Sequence, residues 1–120
     1  MTNPLKIAFD IDDCLLIPNV ASGFGNDTPN YETVNLFKWF QNQGHEMILW
    51  SGSGLDWAKT WGEKLGLQPF TVLRKGDNET LGPVDIAFDD CDVELAKVNV
   101  KVKRINNQIS REDWNKNKKI

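Results

Sequence analysis

Several residue types that often betray function are scarce in this chain. There is one histidine, His45, in the turn before the second apolar strand, at the end of a sheet away from the strand tips where ligands gather. It is assigned no catalytic role. Cysteine is limited to Cys14 and Cys91. They read as reduced thiols filling small spaces; because their two loops are expected to be neighbours, a redox-sensitive pair is the competing reading. No apolar run approaches the roughly 20 residues of a membrane span, and the N-terminus carries no secretory signal. The expectation is a soluble, cytoplasmic protein with no membrane partner. Repeats and low-complexity tracts are missing as well. The stretch Gly52-Ser53-Gly54 lacks the Lys-Ser/Thr ending that a P-loop requires. What is left is a chain of 120 residues, 40% apolar, expected to form a single domain over 1–120 with its own core.

The most informative stretch is Lys6-Ile7-Ala8-Phe9-Asp10-Ile11-Asp12-Asp13-Cys14-Leu15. A short apolar strand ends in three carboxylates within four residues, and apolar residues then resume. Like charges crowded at the tip of a buried strand repel one another and lose hydration. A hard divalent cation such as Mg²⁺ compensates such a cluster naturally; an ordinary acidic turn is the plainer alternative.

Three further apolar strands end in polar residues: Met47-Ile48-Leu49-Trp50 runs into Ser51-Gly52-Ser53-Gly54, Phe70-Thr71-Val72-Leu73 into Arg74-Lys75-Gly76, and Val84-Asp85-Ile86-Ala87-Phe88 into Asp89-Asp90-Cys91-Asp92. In a parallel α/β sheet the carboxyl ends of all strands share one edge, where ligands bind. Acid, hydroxyl, ammonium and acid in that order describe a site.

This ordered set resembles the haloacid dehalogenase (HAD) superfamily of Asp-based phosphatases and phosphotransferases. The likeness covers roughly residues 5 to 105. The family's Asp-x-Asp-x-Thr/Val-Leu motif is matched by Phe9-Asp10-Ile11-Asp12-Asp13-Cys14-Leu15, with Cys14 in place of the commoner Thr or Val. Its Ser/Thr motif falls on Leu49-Trp50-Ser51, its lysine on Lys75 without the usual following proline, and its acid pair on Phe88-Asp89-Asp90. The resemblance implies a capless phosphatase that uses Mg²⁺ and to which Asp12 lends its main-chain carbonyl.

The chemistry assigns roles beside the resemblance. Phosphoryl transfer needs an in-line nucleophile, charge neutralisation on the equatorial oxygens and a proton for the leaving oxygen. Asp10, first off the strand, is the nucleophile that forms an aspartyl-phosphate. Asp12 protonates the leaving alcohol and then deprotonates water, a role that favours a raised pKa. Asp10, Asp12 and Asp90 share the ion, with Asp89 supporting Asp90 or coordinating through water; which of the two ligates directly stays open. Ser51, with the amides after it at Gly52, donates to a phosphoryl oxygen; a helix N-cap is the alternative for Ser51. Lys75 places a point charge on the developing trianion, with Lys64 and Lys59 as competitors.

The expected fold is α/β: a three-layer α/β/α sandwich around a doubly wound, five-stranded parallel sheet of the HAD-like, Rossmannoid type. Strands are expected near 5–10, 46–50, 70–73, 84–88 and 99–104. Three or four helical segments are expected. Val34, Phe37 and Phe40 mark a helix over about 31–43; Leu55, Ala58, Trp61 and Leu65 mark one over about 54–65; a short segment at 92–97 joins the last two strands. Trp39, Trp57 and Trp61 are expected in the core or against the sheet. A short flap spans about 16–30, and no insertion is long enough for a lid domain. An open cleft of this kind suits a bulky phosphorylated substrate, or else a neighbouring subunit closes it. Residues 101–120 carry +5 and the remainder −8, within a total of −3. A basic tail over about 106–120 is compatible with nucleic acid as a partner or with a solvated terminus.

Five function classes compete. The leading one is an Mg²⁺-dependent phosphomonoester hydrolase, with a phosphotransferase or a silent HAD-like binding module as alternatives. A signalling receiver domain is excluded because its phosphoacceptor Asp follows the third strand, where this chain has Arg74-Lys75. A dehalogenase has no need of an acid at position 12.

Overall fold

The structure is a computed structural model that describes residues 3–17, 27–77, 79 and 82–103. In chain order the elements are β1 (Lys6–Asp10), β2 (Leu16–Ile17), β3 (Thr28–Pro29), α1 (Tyr31–Asn42), β4 (Glu46–Ser51), α2 (Leu55–Lys64), β5 (Thr71–Arg74), β6 (Ile86–Asp89) and β7 (Val98–Lys101). Five of them form one sheet in the order β5-β4-β1-β6-β7, every neighbouring pair parallel. The protein is therefore α/β with a five-stranded parallel sheet. The register sets Asp10 opposite Trp50, Ser51 opposite Arg74 and Asp89 opposite Lys101. All these residues lie on one edge of the sheet. The short antiparallel pair β2–β3 flanks the expected flap, of which 18–26 lies outside the described residues. The expected basic tail also lies outside them.

Burial is nearly continuous along β1, β4 and β6, because successive side chains point to opposite faces and both faces are covered. Ile7, Phe9, Met47, Leu49 and Phe88 face the helices, where Val34, Phe37 and Ala58 meet them. Phe9 stacks on Phe88 at 4.4 Å between ring centroids and meets Phe37 edge-on at 5.2 Å. The opposite face carries Ala8, Ile48, Trp50, Leu73 and Ala87 and is covered by Val84, Leu95 and Ala96, which belong to loops.

Helix α1 buries the i, i+3 pair Val34 and Phe37, with Phe40 partly buried below them. Helix α2 is pressed hard onto the sheet through Gly62. A Cβ there would lie 2.5 Å from both Leu49 Cδ1 and Phe70 Cζ, so only glycine permits this approach.

Two expectations need correction. Among the described residues there are two helices, not three or four: the link over 92–97 is irregular. Its amides at Leu95 and Ala96 donate to Asn99 Oδ1 at 2.8 and 3.0 Å, and Asn99 Nδ2 donates to the Ala96 carbonyl at 2.8 Å. One side chain thus satisfies backbone groups that a helical turn would have paired. Trp39 is 56% exposed and does not enter the core. Leu55, at the first position of α2, is likewise exposed.

At the far end of the sheet His45 Nδ1 accepts from the Leu5 amide at 3.0 Å, a structural bond remote from the strand tips. Asp85 lies just before β6, where it accepts from the Lys6 amide at 2.8 Å and pairs with Lys97 at 3.3 Å. No helix among the described residues is long and apolar enough to cross a membrane.

Candidate active site

The chain runs from β1 to β4 to β5 on one side and returns to add β6 and β7 on the other. The reversal makes the crevice outside β1 and β6 the switch point of the sheet, the place where open α/β sheets bind ligands. Asp10 ends β1 and Asp89 ends β6 at that crevice. Lys75 reaches in from the turn after β5. Its Nζ lies 2.7 Å from Asp89 Oδ2 and 3.5 Å from Asp10 Oδ1. Asp10, Asp89 and Asp90 are all buried, and the Asp90 side chain is in hydrogen-bonding reach of Asp10.

This packing dictates the electrostatics. Burial pushes the Asp10 carboxyl well above its usual range, Asp89 and Asp90 push it the same way, and the Lys75 charge opposes them. Burial disfavours charge on Lys75, yet the surrounding carboxylates outweigh it and raise its pKa. Three buried carboxyl groups share the cluster with one ammonium, and their mutual repulsion disfavours ionising all three at once. Cys14 is also buried here. Desolvation, and then the neighbouring acids, drive its thiol far up, and its Sγ sits 3.6 Å from the Phe88 carbonyl. It is a protonated spacer rather than a nucleophile. Cys91 is exposed, and both cysteines are free thiols.

After β1 the chain makes a tight turn in which the Cys14 and Leu16 amides both donate to the Ile11 carbonyl, with Asp13 at φ 62°. Asp12 leaves this turn toward α2. Its Oδ2 accepts from Ser53 Oγ at 3.2 Å and its Oδ1 from Trp57 Nε1 at 3.3 Å. Ser51 is buried, and its Oγ accepts from the Ser53 amide at 3.0 Å. Gly54, not Ser51, occupies the N-cap position of α2, so the capping alternative for Ser51 falls away. Gly52 is exposed beside it.

The structure thus gathers Asp10, Lys75, Asp89 and Asp90 into one cluster, with Ser51 on the neighbouring strand end and the Asp12 carboxylate held by α2. Lys64 is not there: its ammonium lies over the Trp61 ring at 4.8 Å. Lys59 is exposed on α2. Sequence reasoning missed Ser53 and Trp57 as partners of Asp12. A polar group on Trp57, at helical spacing from Trp61, was the available signal, but spacing alone reads as core.

Three candidate ligand groups lie close together after β6. Ligand atoms of Asp89, Asp90 and Cys91 lie within 4.8 Å of one another. Asp89 already forms an ion pair with Lys75 through Oδ2 and accepts from the Cys91 amide on Oδ1 at 3.0 Å. Carboxylate oxygens are the ligands that hard divalent cations take, whereas a thiol suits softer metals. A scan against protein-family models finds no match to this chain, and a search of curated proteins returns none that is significantly similar.

Proposed function

We propose that this chain is an Mg²⁺-dependent phosphomonoester hydrolase of the HAD type, acting in the cytoplasm through an aspartyl-phosphate on Asp10. The observation that carries the reading is the burial of Asp10 at the switch point of the sheet, beside two further acids and within 3.5 Å of the Lys75 ammonium. The doubly wound, Rossmannoid character of the sheet belongs to the same reading, although among the described residues loops cover the second face where a third layer of helices was expected.

Asp10 Oδ attacks phosphorus, and the bond from phosphorus to the alcohol oxygen breaks as Asp12 delivers a proton to that oxygen. Asp12 then takes a proton from water, whose oxygen attacks the aspartyl-phosphate and returns Asp10 as a carboxylate. Ser51 and the amide of Gly52 donate to a non-bridging oxygen. Lys75 holds Asp89 in place and places positive charge beside the phosphoryl group. Asp10 and Asp90 would hold Mg²⁺ with the main-chain carbonyl of Asp12. Asp89 supports them, since both of its oxygens are already engaged. When bound, the ion neutralises charge on the phosphoryl oxygens. The strand-tip site with its short flap suits a bulky phosphorylated substrate, including a nucleic-acid end.

The test is hydrolysis of an aryl phosphate by purified protein with Mg²⁺. Turnover should vanish in Asp10→Asn and Asp12→Asn and on chelation. Silence across nucleotides, sugar phosphates, phosphopeptides and nucleic-acid ends would leave a binding module instead.

A further inference from the structure

Beside the carboxylate cluster lies an open hollow of about 560 Å³, between the β4–α2 turn and the end of β5. Residues 51–56 form one wall, and Arg74 with Lys75 forms the other. Two of these lining residues each touch a reacting carboxylate. Lys75 Nζ lies 3.5 Å from Asp10, and Ser53 Oγ lies 3.2 Å from Asp12. A phosphoryl group at Asp10 whose leaving oxygen meets Asp12 therefore has its alcohol portion directed toward this hollow.

The charges on the walls narrow what fits there. The Lys75 ammonium is committed to Asp10 and Asp89. Asp56 sits in the first turn of α2, where its carboxylate complements the helix terminus. Arg74 is different. It is exposed at the last position of β5, in register with Ser51, and no carboxylate among the described residues pairs with it. A guanidinium presents a planar fork of donors that matches phosphate geometry, and it keeps its charge at any working pH. The exposed Leu55 adds an apolar contact for a carbon skeleton between two anions.

We infer that this hollow is the leaving-group subsite and that Arg74 recognises a second phosphate on the substrate, which makes the substrate class bisphosphorylated. The inference rests on the phosphatase reading, because that reading places the phosphoryl group at Asp10.

Binding of non-hydrolysable probes separates the two ideas. With Mg²⁺ present, calorimetry compares butylphosphonate with the ethane-, butane- and hexane-bisphosphonates. The best bisphosphonate should bind about tenfold tighter than butylphosphonate, a difference of about 1.4 kcal/mol. Arg74→Met should reduce that advantage to less than about twofold, while Arg74→Lys retains part of it. Bisphosphonates that bind no tighter than butylphosphonate, or an advantage that survives Arg74→Met, overturn the inference. Aryl phosphate hydrolysis by the unaltered protein is read separately. Its absence strikes the phosphatase reading, and the affinity ratio still decides the role of Arg74.

Discussion

The ammonium of Lys75 sits 2.7 Å from Oδ2 of Asp89, a carboxylate with no exposed surface. Among the described residues nothing else faces that oxygen. Removing one partner of such a pair leaves a buried charge uncompensated, which costs about 3–5 kcal/mol. Lys75→Met should therefore lower the melting temperature by on the order of 10 °C. Lys75→Met combined with Asp89→Asn should recover most of the loss. Thermal unfolding of the four proteins in the cycle checks this, and an unrecovered double variant would show that the lysine stem, not its charge, matters.

Magnesium should raise the stability of the folded protein by mass action, because the unfolded chain has no assembled site. At a hundredfold excess over the dissociation constant the gain is about 2.7 kcal/mol. A melting temperature that climbs with added Mg²⁺ in the unaltered protein, and stays flat in Asp90→Asn, is the expected outcome. A flat response in both argues against the proposed ligands.

Ser53 and Trp57 hold the two oxygens of Asp12, so they position the group that handles the leaving proton. Ser53→Ala should lower kcat about tenfold, or about 1.4 kcal/mol in the barrier, with little change in KM. Ser53→Thr keeps the hydroxyl and should keep most of the rate. Trp57→Phe removes the Nε1 donor and should act like Ser53→Ala. Equal losses in Ser53→Ala and Ser53→Thr would point to a steric role.

Asp85 gives a pH dependence remote from the site. The Lys6 amide, and then Lys97, hold its carboxyl below the usual value of 3.8. A depressed folded-state pKa stabilises the protein above the unfolded value, and this stability is lost as pH falls through the folded one. Acid unfolding below about pH 4 should therefore be less steep in Asp85→Asn than in the unaltered protein. Parallel curves from denaturant titrations at pH 3, 4 and 6 would rule the contribution out.

The four strand tips were legible in the sequence because an apolar run that stops at an acid, a hydroxyl or a lysine is a local signal. The register then brings Asp10, Ser51, Arg74 and Asp89 to one edge. Helices α1 and α2 were legible from the spacing of Val34 and Phe37 and of Leu55, Ala58, Trp61 and Leu65, and their ends fall within one residue of expectation. Periodicity gives a helix its face but not how much of that face is covered, so Trp39 was misplaced. The 92–97 link was misread because Asn99 pairs its backbone from outside the segment. The direction of the Asp12 side chain depends on the turn at Asp13 and on a tryptophan 45 positions away, and no local pattern encodes it.

The place of β6 in the sheet has a consequence for biosynthesis. A chain emerging N-terminus first can assemble β1, β4 and β5 before β6 exists. Asp10 and Lys75 then meet as a simple pair, and the two remaining acids join only when the last wing docks. If magnesium binds as proposed, the nascent half-domain is a poor trap for the ion, and metal uptake marks the completed molecule.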